Sequence, residues 1–410
     1  MHLVSMQQPA GVESHFTEFV SRARVVRDDW THGWLNPSRA MHPFFAERLR
    51  SSLAYTVHAK YWHGVKLPSR PRALRALHCK RGLARARTDV LLIWNRSAKV
   101  RFAVEAARPE RCVHWEHGAA WDAGHEKERR EYFRDVSSAI ANSQAAARYL
   151  QLLWGYAGAI HVCRNALRPS LLPESPVRKP FPAERIKLGV AARLYPVKGV
   201  ALALHAVASL LGRGIDVTLA VAGAGPELER LRAVCGALGL HGRVRFLGAV
   251  RDMEGFYRSI DCLVHPPLTE AFGRVAIEAA AFGCPVVAAA IDGLPEAVSD
   301  GISGYCVRPT IPLADYEKLG GARTGLPPLV YDPARDRLVE PPLVDPAALA
   351  DAVARVFSSA ECFEALSASA SEHVLRAPGF DAHVRDVMAV IDRRIGAAPE
   401  VGAHAPAGKR

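Results

Sequence analysis

The chain has no apolar run approaching the roughly 18 residues needed to cross a bilayer, and its mean hydropathy is zero. Its first residues, Met1-His2-Leu3-Val4, are too short an apolar start for a signal peptide, so a cytoplasmic protein is expected. Eight cysteines are scattered without one Cys-x-x-Cys pair, which argues against a disulfide framework or a zinc site and for reduced core thiols. There is no Asp-x-Asp, so no obvious carboxylate pair for a metal. No complete Gly-x-Gly-x-x-Gly follows a strand, which weighs against a dinucleotide oxidoreductase. Basic residues abound without a recognised nucleic-acid motif, so no nucleic-acid partner is expected.

At 410 residues two domains are the natural expectation. The net charge of +12 is unevenly placed. Residues 1–180 hold 29 Lys+Arg against 15 Asp+Glu, a net of +14, while the remainder, 24 against 26, is nearly neutral at −2. The first half is built to meet something anionic. Its densest stretch, 66–89, has eight Lys/Arg and a single acid, interleaved with Leu74, Leu77 and Leu83. That suits anionic lipid headgroups or a phosphorylated acceptor; it suits a solvated basic helix face equally.

Short apolar runs at 3–6, 90–94, 111–115, 139–143 and 159–163 read as strands of the first half. A helix is expected from about 12, and another over 42–65, with a strand near 55–60 as the alternative. His117-Gly118 ends one strand, where an imidazole can face a crevice, whereas His114 lies inside it and reads as structural. Four prolines over 171–183 mark an extended connector. Beyond it, strands at 186–192, 215–222, 244–247 and 262–264 alternate with helices at 197–211, 226–238 and 253–259. That alternation demands a parallel sheet with right-handed crossovers. The expected division is 1–172, a linker 173–183, then 184–375. The irregular stretch 308–344 reads as a surface-packed insertion, helices are expected at 347–357 and 380–395, and the tail 396–410 has a disordered composition.

The most informative stretch is 265–296, with two carboxylates, Glu270 and Glu278, separated by seven residues. Glu270 falls on a loop leaving a strand and Glu278 on the following helix, 275–282. A loop delivering a helix N-terminus to the carboxyl edge of a parallel sheet is a prepared anion site. Carboxylates beside it suit vicinal diols, so the implied ligand carries both phosphates and hydroxyls, as a nucleotide-sugar does. Read as in glycosidases, the pair would be a general acid and base; positioning of hydroxyls is preferred. Arg193 and Lys198 follow the first strand of this half and suit a diphosphate, with Gly199 allowing close backbone approach. Gly223-Ala-Gly225 marks a further strand-to-helix turn, and Asp292-Gly293-Leu294-Pro295-Glu296 closes the next strand. Glu296 there reads either as a supporting carboxylate or as a helix-start acid.

Together these residues resemble family 4 of the retaining glycosyltransferases. The Glu-x7-Glu motif falls at Glu270 and Glu278, Arg-Leu…Lys-Gly at Arg193 and Lys198, and the glycine turn at Gly223 and Gly225. The Asp-Gly-x-Pro-Glu turn falls at Asp292 to Glu296, and the likeness is strongest over 186–307. The resemblance implies an α/β fold of two Rossmann-like doubly wound domains facing across a cleft (GT-B), with a last helix, 376–395, crossing back to the first. It implies a nucleotide-diphosphate-sugar as co-substrate, no cofactor, no obligatory metal, and retention at the anomeric carbon. Donor contacts are implied at Arg193, Lys198, Gly223, Gly225, Val250, Glu270, Ala271, Phe272, Gly273, Val275 and Glu278. Catalytic roles are implied for His117, Glu270, Arg193 and Lys198, and acceptor-side roles for Gly11, His117 and Asn165. Two departures are Ala10-Gly11 where Gly-Gly is usual, and the length of the irregular stretch. The expected acceptor is a glycan or lipid-linked glycan, as in lipopolysaccharide or other cell-surface polysaccharide synthesis. The basic first half would then rest on an anionic membrane, at the inner face of the plasma membrane. The rival readings are a nucleotide-sugar epimerase or a phosphorylase on the same architecture, and a non-catalytic relative binding lipid or a partner.

Overall fold

A computed structural model describes residues 1–7, 11–38, 41–122 and 124–396. Two sheets organise them. The first has seven strands in the order Tyr55–His58, Gly33–Asn36, His2–Leu3, Leu91–Trp94, Cys112–Glu116, Ser138–Ala141 and Ala159–Val162. The second has six, in the order Val244–Gly248, Val217–Ala222, Ile186–Ala191, Cys262–His265, Val286–Ala289 and Gly304–Val307. All pairings within both sheets are parallel. Leu91–Trp94, Cys262–His265 and Val286–Ala289 are buried at every position, because helices cover both faces of a parallel sheet. The architecture is a two-domain α/β fold of doubly wound parallel sheets.

Each sheet reverses its winding once. In the first domain the reversal falls between His2–Leu3 and Leu91–Trp94, and in the second between Ile186–Ala191 and Cys262–His265. Loops leaving the carboxyl ends of strands at such a reversal diverge and leave a crevice. The molecule therefore has two crevices.

Local chemistry sets the helices between strands. Ser143 accepts from Ala146 N at 2.9 Å to start Gln144–Trp154, which stops at Gly155 with φ +61°. Asp345 likewise caps Pro346–Val356. The last helix, Phe380–Gly396, leaves the second domain and lies along Gly11–Val26. Arg22 Nε donates to Asp381 Oδ1 at 2.8 Å, Arg27 Nη1 donates to Asp392 Oδ2 at 3.0 Å, and Phe380, Val384, Val387 and Met388 enter the first domain's core.

Several expectations are corrected. The helix over 42–65 is only Pro43–Arg50, followed by the strand Tyr55–His58 and a hairpin, Tyr61–Trp62 with Val65–Lys66. Its β-branched Thr56 and Val57 and its Gly64 turn disfavour helix. Gly33–Asn36 is a strand that four residues without periodicity did not signal. Ala360–Arg376 is a helix that no pattern announced, because Ser367 and Ser371 face inward. They donate to Gly283 O and Ala281 O and accept from Lys179 N and Val177 N, clamping the connector to the second domain. The stretch 308–344 is not merely surface-packed. Val330, Leu343 and Val344 are core, and its hairpin, Val330–Asp332 with Arg337–Val339, touches the first domain through Arg148–Asp336 and a Tyr149 hydroxyl donated to Leu329 O. The basic stretch holds the helix Arg72–Arg85, which buries only Cys79 and Leu83; Leu74 and Leu77 are exposed. All eight cysteines are free, six of them buried. Ala10 of the Ala10-Gly11 turn and the tail 397–410 lie outside the described residues.

Candidate active site

The second domain's crevice is built by backbone proximity. Leu268 N donates to Val197 O at 2.8 Å, joining the loop after Ile186–Ala191 to the loop after Cys262–His265. Gly199 (φ +63°) sits so close beneath that a Cβ there would lie 1.9 Å from Pro266 O. Gly223 and Gly225 are as tightly placed, with a Cβ 1.7 Å from Ala192 O and 2.3 Å from Leu194 O. No side chain fits at these positions.

Into this crevice the Lys198 ammonium donates to Glu270 Oε2 at 2.7 Å, and His265 Nε2 stands 3.6 Å from the same oxygen. Burial alone would raise the Glu270 carboxyl; the Lys198 ammonium and the His265 ring outweigh it and hold it well below the ordinary carboxylate range. Arg193 is exposed at the crevice mouth, its guanidinium 5.3 Å from the Tyr195 ring centroid. The helix Arg274–Ala281 starts at Gly273 (φ +99°) without a side-chain cap, with Ala271 and Phe272 buried before it and Val275 half-buried in its first turn. Lys198 thus stands beside Glu270, and the helix that begins after Gly273 offers its first N–H groups on the same loop. Val250 is half-buried in the loop after Val244–Gly248.

Glu278 lies deeper, 4% exposed. Its Oε2 accepts from the Tyr257 hydroxyl at 2.9 Å and its Oε1 is ion-paired with Arg168 Nε at 3.0 Å. The two motif carboxylates therefore sit in different environments, one with a lysine at the crevice and one with an arginine and a phenol behind it.

The Asp292–Glu296 turn ties this site to the first domain. Asp292 Oδ2 accepts from Thr269 Oγ1 (2.6 Å) and Glu270 N (3.0 Å), and Oδ1 accepts from Tyr331 N (2.7 Å) and Trp121 Nε1 (3.0 Å). Burial pushes its carboxyl up to about 6 in spite of these four donors. Glu296 accepts from Gln144 N and Ala145 N at 3.0 Å each and from Arg164 Nε at 2.9 Å, so it caps a helix of the opposite domain rather than its own. Arg274 Nη1 donates to Gly11 O at 3.1 Å.

His117 follows Cys112–Glu116, with its ring packed among His15, Trp94 and Trp115. Its backbone N donates to Asn95 Oδ1, its ring stacks on Trp94 with centroids 5.4 Å apart, and its Nε2 has no hydrogen-bond partner among the described residues. Burial, then the nearby His383, Arg274 and His114, push the imidazole well below its ordinary range, so it is neutral at pH 7. Gly118 (φ +123°) faces Ala271 across the cleft, a Cβ there coming 3.5 Å from the alanine's own. His114 is structural, bonded to Glu116 and Tyr132. Asn165 is 8% exposed, with its Oδ1 unpartnered among the described residues.

The structure thus gathers Lys198, Glu270, Arg193 and the start of Arg274–Ala281 at one crevice, with His117–Gly118 opposite. Glu278, Gly11 and Asn165 lie behind or beside it. Arg168, Tyr257 and Trp121 were not signalled by sequence, since each acts on a partner in a separate element, and His265 was not singled out either. His265 alone had a local sign, ending the strand five residues before Glu270.

Comparison with known proteins bears on the second domain and on the fold. Residues 173–316 match the family model of glycosyl transferases group 1. A D-inositol 3-phosphate glycosyltransferase of Corynebacterium jeikeium is 43% identical over 129 residues, 29% of this chain and 31% of that protein. The chain thus matches under a third of that relative's length. The whole architecture is shared with a glycosyltransferase from Rickettsia africae (TM-score 0.73, 14% identity, 97% of this chain and 98% of that one). It is also shared with Anabaena HepE, solved with UDP and glucose (TM-score 0.69, 19% identity, 95% and 98%). The fold is that of the GT-B glycosyltransferases. Among the described residues no helix is long and apolar enough to cross a membrane.

Proposed function

We propose that this chain is a retaining glycosyltransferase that moves a sugar from a nucleotide-diphosphate-sugar to a glycan or lipid-linked acceptor, in lipopolysaccharide or other cell-surface glycan synthesis. The observation that carries this reading is the Lys198–Glu270 pair at the second crevice, beside an uncapped helix N-terminus. The family match over 173–316 and the UDP and glucose held by HepE support it.

As the anomeric C–O bond to the diphosphate breaks, negative charge grows on the leaving oxygens. Lys198, Arg193 and the first N–H groups of Arg274–Ala281 meet that charge, and being fixed beforehand they favour the transition state over the ground state. In this reading no resident metal takes part. Glu270 stays ionised, orients Lys198 and accepts from sugar hydroxyls. Glu278 accepts from the ribose diol as Arg168 gives way. Neutral His117 presents Nε2 to the transferred sugar from the opposite wall. Gly223, Gly225 and Val250 line the nucleotide side, and Gly11 and Asn165 the acceptor side.

The test is product stereochemistry. Incubation with each of UDP-, GDP-, ADP- and dTDP-sugars, with a core-oligosaccharide or lipid extract and EDTA, should give one glycoside whose anomeric proton coupling matches the donor's. Isomerisation of the donor without diphosphate release would mean an epimerase instead.

A further inference from the structure

The first domain has its own crevice, and it is strongly basic. A cavity of about 950 Å³ opens there, lined by Lys60, Lys66, Arg70, Arg72, Arg75 and Lys99, with Glu128 as its one carboxylate. Gln7 and Lys99 border it from the loops after His2–Leu3 and Leu91–Trp94, the two strands between which the winding reverses. This is where an open α/β sheet takes a ligand. Ser38 and Lys60 border it from the loops after the next two strands, so four strand ends contribute.

The cations are poorly neutralised from within. Arg72 pairs with Glu105, and Arg75 donates to Leu67 O. Lys60, Lys66, Arg70 and Lys99 have no carboxylate ion pair among the described residues. Glu128 gives its Oε1 to the backbone N–H of Lys99 instead of to an ammonium. Lys60 is half-buried, its ammonium 5.9 Å from the Phe102 ring centroid. Burial, then Arg96, Arg75, Lys99 and Lys66, push that ammonium down to about 8. Like charges held together around a concave space imply an absent counter-ion.

We propose that this cavity binds the phosphate or diphosphate group of the acceptor, which makes the acceptor a phosphate ester. The assignment of the bound group to an acceptor rests on the glycosyl-transfer reading; the anion site does not. The cavity lies on the same carboxyl edge as His117: the nearest strand that borders it, Leu91–Trp94, neighbours Cys112–Glu116, whose following Gly118 faces Ala271. The phosphate is carried either by a soluble ester or by a lipid. The exposed Trp62 and Val65 of the adjoining hairpin would suit the second.

The experiment uses the full chain without any donor. Pyrophosphate binding is measured by calorimetry with the second domain's diphosphate crevice saturated by UDP, for wild type, for Lys60→Gln/Lys66→Gln, and for Arg232→Gln/Arg376→Gln, which removes the same charge from the second domain. UDP binding is measured in parallel as a check of folding and of the other crevice. The proposal expects pyrophosphate affinity to fall at least tenfold in the cavity variant alone, with UDP affinity unchanged. Unchanged pyrophosphate affinity in the cavity variant, or an equal loss in the charge control, would overturn it. Competition by glycerol 3-phosphate against phosphatidylglycerol vesicles tells a soluble ester from a lipid. If the nucleotide-sugar panel is silent while the cavity variant still loses pyrophosphate, the transfer reading fails and the anion site stands.

Discussion

The two crevices are made in opposite ways. In the second domain the walls are backbone: Gly199, Gly223 and Gly225 let loops approach to distances no side chain permits, and two charged side chains are added at the end. In the first domain the walls are side chains. All seven tryptophans lie between Trp30 and Trp154, and the core beneath the cleft packs His2, His15 and His117 against Trp94 and Trp115. A site made of backbone admits few sequences and so leaves a motif. A site made of large side chains can be packed in many ways and leaves little trace.

The largest effect that would sharpen this contrast is acid sensitivity. His2, His15, His32, His117 and His383 all lie with the first domain, and burial lowers each of them, His32 and His383 to about 4. A lowered imidazole is protonated more readily in the unfolded chain. Its stabilising contribution is complete above pH 6.5 and is lost as the pH falls from there toward 4. The loss is about 1.4 kcal/mol per pH unit for each imidazole that titrates only when unfolded. Tryptophan fluorescence, whose seven reporters all lie in the first domain, should show its urea midpoint falling steeply between pH 6.5 and 5. A flat midpoint would break the contrast.

Next comes the charge at the second crevice. Lys198→Ala is expected to cost about 3 kcal/mol of transition-state stabilisation, on the order of 10²-fold in kcat/KM. The tryptophan-monitored midpoint should stay where it is. Gly223→Ala should cost about 2 kcal/mol or more, because φ +155° and the 1.7 Å approach to Ala192 O leave no room for a methyl. Calorimetric unfolding should register that loss, and nucleotide binding should fall with it. The smallest effect tests the seam between the domains. Asp292→Asn keeps the shape but sets an amide donor against the N–H of Glu270 or Tyr331, costing about 1–2 kcal/mol. Roughly tenfold lower kcat/KM with an unshifted midpoint would place that cost on the loop that carries Glu270.

Legibility in the sequence followed the same division. Every strand from Ile186 to His265, and the placing of Glu270 and Lys198 on facing loops, could be read from alternation and spacing. The strand Gly33–Asn36 and the hairpin after Tyr55–His58 could not, being too short to show a period. The helix Ala360–Arg376 was hidden because serines take core positions and bond to carbonyls there. Glu278's partners, Arg168 and Tyr257, and the seam through Trp121 and Asp292 come from residues more than a hundred positions apart or from separate elements, and only the folded chain shows them.

The most direct test of the central claim is nucleoside-diphosphate release from a panel of UDP-, GDP-, ADP- and dTDP-sugars, for wild type and Lys198→Ala. Release is expected from one donor, stimulated by a phosphate-bearing acceptor extract and reduced about 10²-fold in the variant. Release that the variant retains in full, or silence across the whole panel from a folded wild-type protein, would contradict it.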